Sequence, residues 1–336
     1  MPSVCILKMN CLDLFSGCGG ISLGFQSAGI EVLAAIDNWP EALTVYRANF
    51  NHDAILHDLT DEARTIEIVQ KYSPDMIIGG PPCQDFSSAG KRDESLGRAD
   101  MTYHFANIVC GYQPKWFVME NVERIKTSHI LTEISAQFQN QSYGLTAVIL
   151  DASYCGTPQA RNRFFLIGTH GGKNNCLNNI LREGLSEKPM TIRDYLGDSL
   201  KITYYYRHPR NYNRRGIFSI DEPSPTVRGV NRPVPSGYKK HQADPKAADL
   251  KNIRPLTTRE RSYIQTFPKD FKLAGTKTNL EQMIGNAVPV NLAKYVAKSL
   301  LKYLEDDYVE SGQTCLFDDK PQFELPNKVL HRMTIR

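Results

Sequence analysis

A short apolar run that ends on two glycines and two prolines constrains this chain more than any other stretch. Residues 75–78 read Asp-Met-Ile-Ile, the pattern of a short buried strand, and Gly79-Gly80-Pro81-Pro82 stops it. Each proline fixes its own φ and restricts the residue before it, so Cys83 leaves the carboxyl end of a strand on a rigid stem. Small and polar residues continue from Gln84 as a loop. In an open α/β sheet ligands bind outside the carboxyl ends of the strands, so a cysteine held there is placed like a nucleophile. The competing reading is a small buried hydrophobe, the common fate of a lone cysteine.

A second stretch repeats the architecture with a different chemistry. Residues 6–14 are apolar enough for a first strand and run into DLFSGCGGISLGF, residues 13–25, followed by a helical pattern of Ile21, Leu23, Phe25 and Ala28. Glycines let a backbone approach a ligand, and the helix start offers free N–H groups. Position 22 is serine, so the dinucleotide fingerprint fails and a dehydrogenase is excluded. Residues 32–36 read as the second strand, ending on Asp37-Asn38-Trp39-Pro40, where an acid commonly accepts from ribose hydroxyls and can equally cap a helix over 40–49. A third short strand, 54–56, leads to His57-Asp58-Leu59, and Asp58 alone would pass as a turn residue.

Residues 116–119 give the next buried strand, closed by Glu120-Asn121-Val122 with a helical pattern from Val122. A glutamate against an apolar strand is costly unless paired or raised in pKa; the alternative is a helix cap. Residues 145–150 and 164–168 suggest an edge hairpin. Between them Arg161 and Arg163 alternate in Gln159-x-Arg161-x-Arg163, so on a strand both point to one face, which anions or carboxylates would have to meet.

The chain has 336 residues, 41% of them hydrophobic, enough for a full α/β core and a smaller second domain. No apolar run is long enough to span a membrane, and the first residues lack the pattern of a signal peptide. Eight cysteines lie scattered without a Cys-x-x-Cys pair, which fits reduced thiols in the cytoplasm and no metal site. The formal charge of +4 is unevenly placed: residues 201–254 hold twelve Lys/Arg against four Asp/Glu. Aromatics such as Tyr204, Tyr205, Tyr206, Phe218 and Tyr238 are interleaved there, a composition suited to lying on a polyanion. Beyond it, residues 254–268 suggest a short amphipathic helix, Gly285-Asn286 a turn and 290–304 a clear helix, before a tail with no assigned role.

These stretches together resemble the cytosine-5 DNA methyltransferases of bacterial restriction–modification type. Pro-Cys-Gln at 82–84, Asp-Leu-Phe-Ser-Gly-x-Gly-Gly at 13–20, Glu-Asn-Val at 120–122 and Gln-x-Arg-x-Arg at 159–163 stand in that family's order. So do Thr226-Val227, the run from Arg254 to Pro268, and 282–291. The resemblance implies an α/β fold: a Rossmann-like S-adenosyl-L-methionine-dependent methyltransferase domain with a mostly parallel, doubly wound sheet, plus a smaller irregular β-rich target recognition domain. The expected boundaries are 1–190 completed by 282–312, then 191–281, with 313–336 as tail.

The resemblance also implies roles. Cys83 would add to carbon 6 of a flipped-out cytosine, Glu120 would hold ring nitrogen 3 protonated, and Arg163, with Arg161 nearby, would hold the carbonyl oxygen. The S-adenosyl-L-methionine site would take in Phe15, Ser16, Gly17, Gly19, Gly20, Asp37, Asn38, Asp58, Leu59, Pro82, Met101, Asn286 and Val288. Double-stranded DNA would meet Gln84, Ser87, Arg98, Thr226, Val227, Arg228, Arg232, Lys239 and Lys240. The expected enzyme is a cytoplasmic monomer off the membrane, with a cognate restriction endonuclease as functional partner. A tRNA cytosine methyltransferase shares the motifs but carries a Cys-Phe-Thr string absent here. A catalytically inactive DNA-binding relative is disfavoured by the intact Cys83, Glu120 and Arg163.

Overall fold

The computed structural model describes residues 9–82, 101–211 and 213–310, the last four for their backbone alone. The residues expected to start the first strand at 6, and Cys83, Gln84, Ser87 and Arg98, lie outside the described residues.

Strand and helix alternate from the start: β1 (Asn10–Leu14), α1 (Gly20–Ala28), β2 (Glu31–Asp37), α2 (Pro40–Arg47), β3 (Asp53–Leu56), α3 (Glu62–Tyr72) and β4 (Met76–Gly79). Then come α4 (Met101–Tyr112), β5 (Trp116–Val122), α5 (His129–Asn140), β6 (Tyr143–Asp151), β7 (Gln159–Ala160), β8 (Asn162–His170) and α6 (Asn178–Glu183). The main sheet has seven strands in the order β3-β2-β1-β4-β5-β8-β6. The strands from β3 to β5 are parallel to their neighbours, and β8 runs antiparallel to both β5 and β6.

Side chains alternate between the faces, as the pleat dictates. Cys11, Met76, Ile78, Trp116 and Val118 pack with α1, α6 and the last helix. Leu12, Leu14, Ile77, Phe117 and Met119 pack with α3, α4 and α5. The last helix, α10 (Val290–Glu310), lies against α1, where a Cβ at Gly24 would stand 2.5 Å from the Ala293 Cβ; only glycine permits that approach.

Residues 191–281 hold α7 (Ile192–Leu196), the antiparallel pair β9 (Tyr204–Tyr206) and β10 (Ile217–Ser219), β11 (Ser224–Pro225) and α8 (Thr258–Ile264). A buried cluster around Tyr205, Phe218, Val227, Leu256 and Ile264 also takes in Ile284, beyond this range. Two local expectations differ from the structure. Gly285 and Asn286 are not a turn but the end of α9 (Lys277–Asn286), which crosses position 281; α10 (Val290–Glu310) follows after a short break. The strand also continues through Glu120-Asn121-Val122, so Glu120 caps no helix; a 3-10 turn (Glu123–Thr127) comes next, and Ser128 caps α5 by accepting from the Ile130 N–H.

Candidate active site

The sheet reverses its winding between β1 and β4, and the crevice at such a switch point is where α/β folds bind ligands. The turn leaving β1 is built for close approach. Phe15 (φ 59°), Gly17 (φ 53°) and Gly19 (φ 94°) all adopt left-handed backbone; for Phe15 that is strain of about 1–3 kcal/mol, the kind held at functional sites. A Cβ at Gly17 would enter open space, whereas one at Gly20 would strike the Val288 carbonyl, so the stretch between α9 and α10 closes one wall. Ser16 is buried and its hydroxyl has no partner.

Asp37, at the end of β2, accepts from the Gly17 N–H at 2.7 Å and the Trp39 N–H at 2.8 Å. Burial raises its pKa against the pull of those N–H groups. Neither Asp37 nor Asn38 is the N-cap of α2: that residue is Trp39, and it makes no side-chain cap bond. Asp58 is exposed, its Oδ1 accepting from the Thr60 N–H and hydroxyl, both at 3.0 Å, which lowers its pKa, while Leu59 beside it is buried. Met101 begins α4, half-buried; Pro82 and Asn286 are exposed and Val288 is buried. An open turn, an orphaned buried hydroxyl and a carboxylate at the next strand end suit a nucleoside-bearing methyl donor.

Sequence reasoning missed what lies beneath this turn. Buried Asp13 accepts from the Ser22 hydroxyl, which accepts from Tyr46 Oη at 2.7 Å, and Tyr46 Oη lies 2.6 Å from His52 Nε2. Burial raises the Asp13 carboxyl to about 7. Its place in the Asp-Leu-Phe-Ser string was a signal; Tyr46 and His52 had none.

Across the crevice, Glu120 Oε1 lies 2.7 Å from Arg163 Nε, with little of either side chain exposed. Burial raises the Glu120 pKa, opposed by Arg163 and Arg161, and burial lowers that of Arg163. Dehydration thus raises the Glu120 carboxyl even against the guanidinium beside it. The strand-end stem is aimed at the same place. A Cβ at Gly80 would lie 3.1 Å from Glu120 Oε2, and the Asn121 amide donates to the Pro81 carbonyl at 3.4 Å. The chain thus passes Glu120 at Gly80 and Pro81, just before the described residues end at Pro82. Each described cysteine has its thiol pKa pushed up by burial, Cys110 to about 11 and Cys18 to about 12.

Comparison with known proteins decides the family. The C-5 cytosine-specific DNA methylase family matches residues 9–302. This chain belongs to it. The Type II methyltransferase M.HindV of Haemophilus influenzae is 65% identical over 304 residues, 90% of this chain and all of that one. M.HgiDI of Herpetosiphon aurantiacus, also a Type II methyltransferase, is 55% identical over 88% of this chain and 95% of its own. Among solved structures, a putative DNA modification methyltransferase from an E. coli prophage superposes with a TM-score of 0.64 at 24% identity, covering 89% of this chain and all of that one. The S. pombe Dnmt2 methyltransferase superposes at 0.63 and 19% identity, over 89% and 99%. These two bear on the fold alone.

In this methylase the two arginines of Gln159-x-Arg161-x-Arg163 meet different partners. Arg161 sits at the break between β7 and β8, wholly buried, and gives its Nη1 to the Val227 carbonyl at 2.9 Å and its Nη2 to the carbonyls of Gly285 at 3.0 Å and Ala287 at 3.2 Å. Only Nε lacks a partner. The expectation that Arg161 assists at the cytosine carbonyl meets a guanidinium already taken up by backbone. Thr226 donates to the Ala160 carbonyl at 3.0 Å and Val227 is buried, so this pair fastens the segment. Arg228 is half-buried and donates to the His208 carbonyl; Arg232 and Lys239 are exposed, and Lys240 Nζ donates to the Lys246 carbonyl at 3.0 Å. Among the described residues no three His, Cys, Asp or Glu side chains gather as a metal site, and no helix is long and apolar enough to cross a membrane.

Proposed function

We propose that this C-5 cytosine DNA methylase acts on a flipped-out cytosine in a short duplex sequence through a covalent bond to Cys83. The observation that carries the reading is the buried Glu120–Arg163 pair at the end of β5, against the stem that leads to Cys83. Carbon 5 of cytosine is a poor nucleophile inside a stacked duplex, so the base must leave the stack. Addition of the Cys83 thiolate to carbon 6 makes carbon 5 enamine-like. Glu120, in its protonated form, donates to ring nitrogen 3, so negative charge does not build on the ring; Arg163 orients that carboxyl and holds the carbonyl oxygen. Loss of the carbon-5 proton and expulsion of the thiolate restore the ring.

S-adenosyl-L-methionine, when bound, supplies the methyl group. Asp37 would take the ribose hydroxyls, the Phe15–Gly20 turn and Ser16 would take the remainder of the ligand, and Asp58 would take the adenine amino group. The basic segment within 191–281 would face the duplex as a target recognition domain. The relatives' naming as Type II methyltransferases supports a restriction–modification role, with methylation protecting DNA from a partner endonuclease, over the tRNA reading. Bisulfite sequencing of DNA from cells expressing the protein tests this. Cytosines protected within one short sequence are expected, and a Cys83→Ala variant should protect none. Unprotected cytosines with the intact enzyme would reject the reading.

A further inference from the structure

The segment after β11 is held almost atom by atom by side chains from elsewhere. The Ser224 N–H bonds the Pro158 carbonyl at 2.9 Å, and β11 pairs in parallel with β7. The Val227 N–H donates to Gln159 Oε1 at 2.8 Å, and the Val227 carbonyl accepts from Arg161 Nη1 at 2.9 Å. The Arg228 carbonyl accepts from Arg261, itself ion-paired with buried Glu281 of α9. Gly229 then lies so close to Gly285 that a Cβ on Gly285 would collide with the Gly229 nitrogen and the Arg228 backbone. Gln159 closes the knot by donating to Gln265 Oε1 at 2.7 Å, and Gln265 donates to the Ala287 carbonyl at 2.9 Å.

Three parts of the chain meet here: the hairpin that carries Arg163, the basic segment, and the α9–α10 junction. Arg161 donates to two of them from the third. Burying a guanidinium on carbonyls, with no carboxylate among the described residues bonded to it, is a costly way to hold a fold together that apolar packing could hold. What it offers is a planar fork that fixes several acceptors at once, which a lysine point charge cannot do. Arg161 is two residues from Arg163, whose partner is Glu120.

We infer that Arg161 is a positioning residue for sequence reading: its guanidinium fixes the 227–229 backbone, and so the loop bearing Arg228 and Arg232, relative to the Glu120–Arg163 pair. This rests on the proposed reading that the basic segment contacts DNA bases and Glu120 the target cytosine. Correct bases under the loop then set the cytosine against the pair, and a wrong base is felt as misplacement at the chemistry. Arg161 touches neither base nor cytosine to do this.

The test uses the full-length enzyme and duplexes containing the bisulfite-mapped site or that site with one base pair changed. The readout is the ratio of single-turnover methylation rates between them. Arg161→Lys keeps the charge and loses the fork, while Gly285→Ala leaves Arg161 in place and wedges the 228–229 backbone away. Both are expected to lower the ratio by roughly tenfold, the lower part of what one mismatched pair commonly costs. A partly unfolded preparation slows both duplexes equally and leaves the ratio alone, so a general loss of fold cannot imitate the result. Should Arg161→Lys fail to fold, Gly285→Ala decides. An unchanged ratio in the folded variants, whatever their rates, overturns the inference. If the wild-type enzyme methylates no duplex, the reading of function falls and the inference with it.

Discussion

Glu120 Oε1 and Arg163 Nε stand 2.7 Å apart on neighbouring strands, each pushed by burial toward its neutral form. A glutamic acid that must donate its proton works only while it holds one. Because the Glu120 pKa is raised, the acid form persists above the ordinary carboxylate range and is lost as pH climbs through the shifted value. Single-turnover methylation should therefore fall along an alkaline limb that Glu120→Gln lacks. That variant is expected to bind DNA normally and react about 10²–10⁴-fold slower. A Gln variant with an unchanged rate would remove Glu120 from the chemistry.

An oligonucleotide with 5-fluorocytosine at the target should trap the enzyme covalently in the presence of S-adenosyl-L-methionine, because fluorine cannot leave as the proton does. Cys83→Ser is expected to abolish the trap. Cys110 and Cys155 are poor substitutes, since burial holds both thiols protonated near neutral pH. Peptide mapping of the adduct to either of them would reassign the nucleophile.

Asp37→Ala should weaken S-adenosyl-L-methionine binding by about 1–3 kcal/mol, the worth of hydrogen bonds to a charged group. The carboxylate also anchors the Gly17 N–H, so part of the loss comes from a looser turn. The ionised form is the acceptor, and its pKa is raised, so cofactor affinity should decline as pH falls through that value. Calorimetry at two pH values checks both; unchanged affinity would leave Asp37 as a structural anchor of the turn.

The strands and the two turns at the ends of β1 and β4 were legible because their signals are local: an apolar run, then glycine or proline. What escaped is tertiary. Gly285 reads as a turn residue, yet it sits in α9, and its missing Cβ serves contact with the Arg228–Gly229 backbone, which no neighbouring residue announces. A period of two joins Arg161 to Arg163, but the break between β7 and β8 turns Arg161 toward carbonyls from residues far along the chain. The helical pattern from Val122 was overridden because β5 gains a partner in β8 through Val122. Tyr46 fits any amphipathic helix, and only the folded chain brings its hydroxyl to Ser22.

Arg261 and Glu281 form a buried ion pair, and Glu281 also accepts from the Thr258 hydroxyl at 2.7 Å and the Asn231 amide at 3.2 Å. Removing one partner leaves the other charge buried. Glu281→Ala is expected to cost about 3–5 kcal/mol in denaturant unfolding. A loss below about 1 kcal/mol, the worth of a surface pair, would mean that water reaches the site.

The basic segment offers cations in two settings, and they should behave differently toward DNA. Arg232 is exposed, four residues after Arg228, whose carbonyl accepts from Arg261. A planar fork on a fixed base suits a guanine edge, so Arg232→Ala should cost about 1–3 kcal/mol and relax preference at one position of the site. Arg228, already donating to the His208 carbonyl, has less of its fork to offer and should relax preference less. Lys239 is exposed beside Lys240, and adjacent point charges suit phosphates. Lys239→Ala should weaken all duplexes alike and reduce the salt slope by about one unit. Binding and methylation on single-base-substituted sites at two salt concentrations separate the cases. Site preference that survives Arg232→Ala and shifts with Lys239→Ala would reverse the assignment.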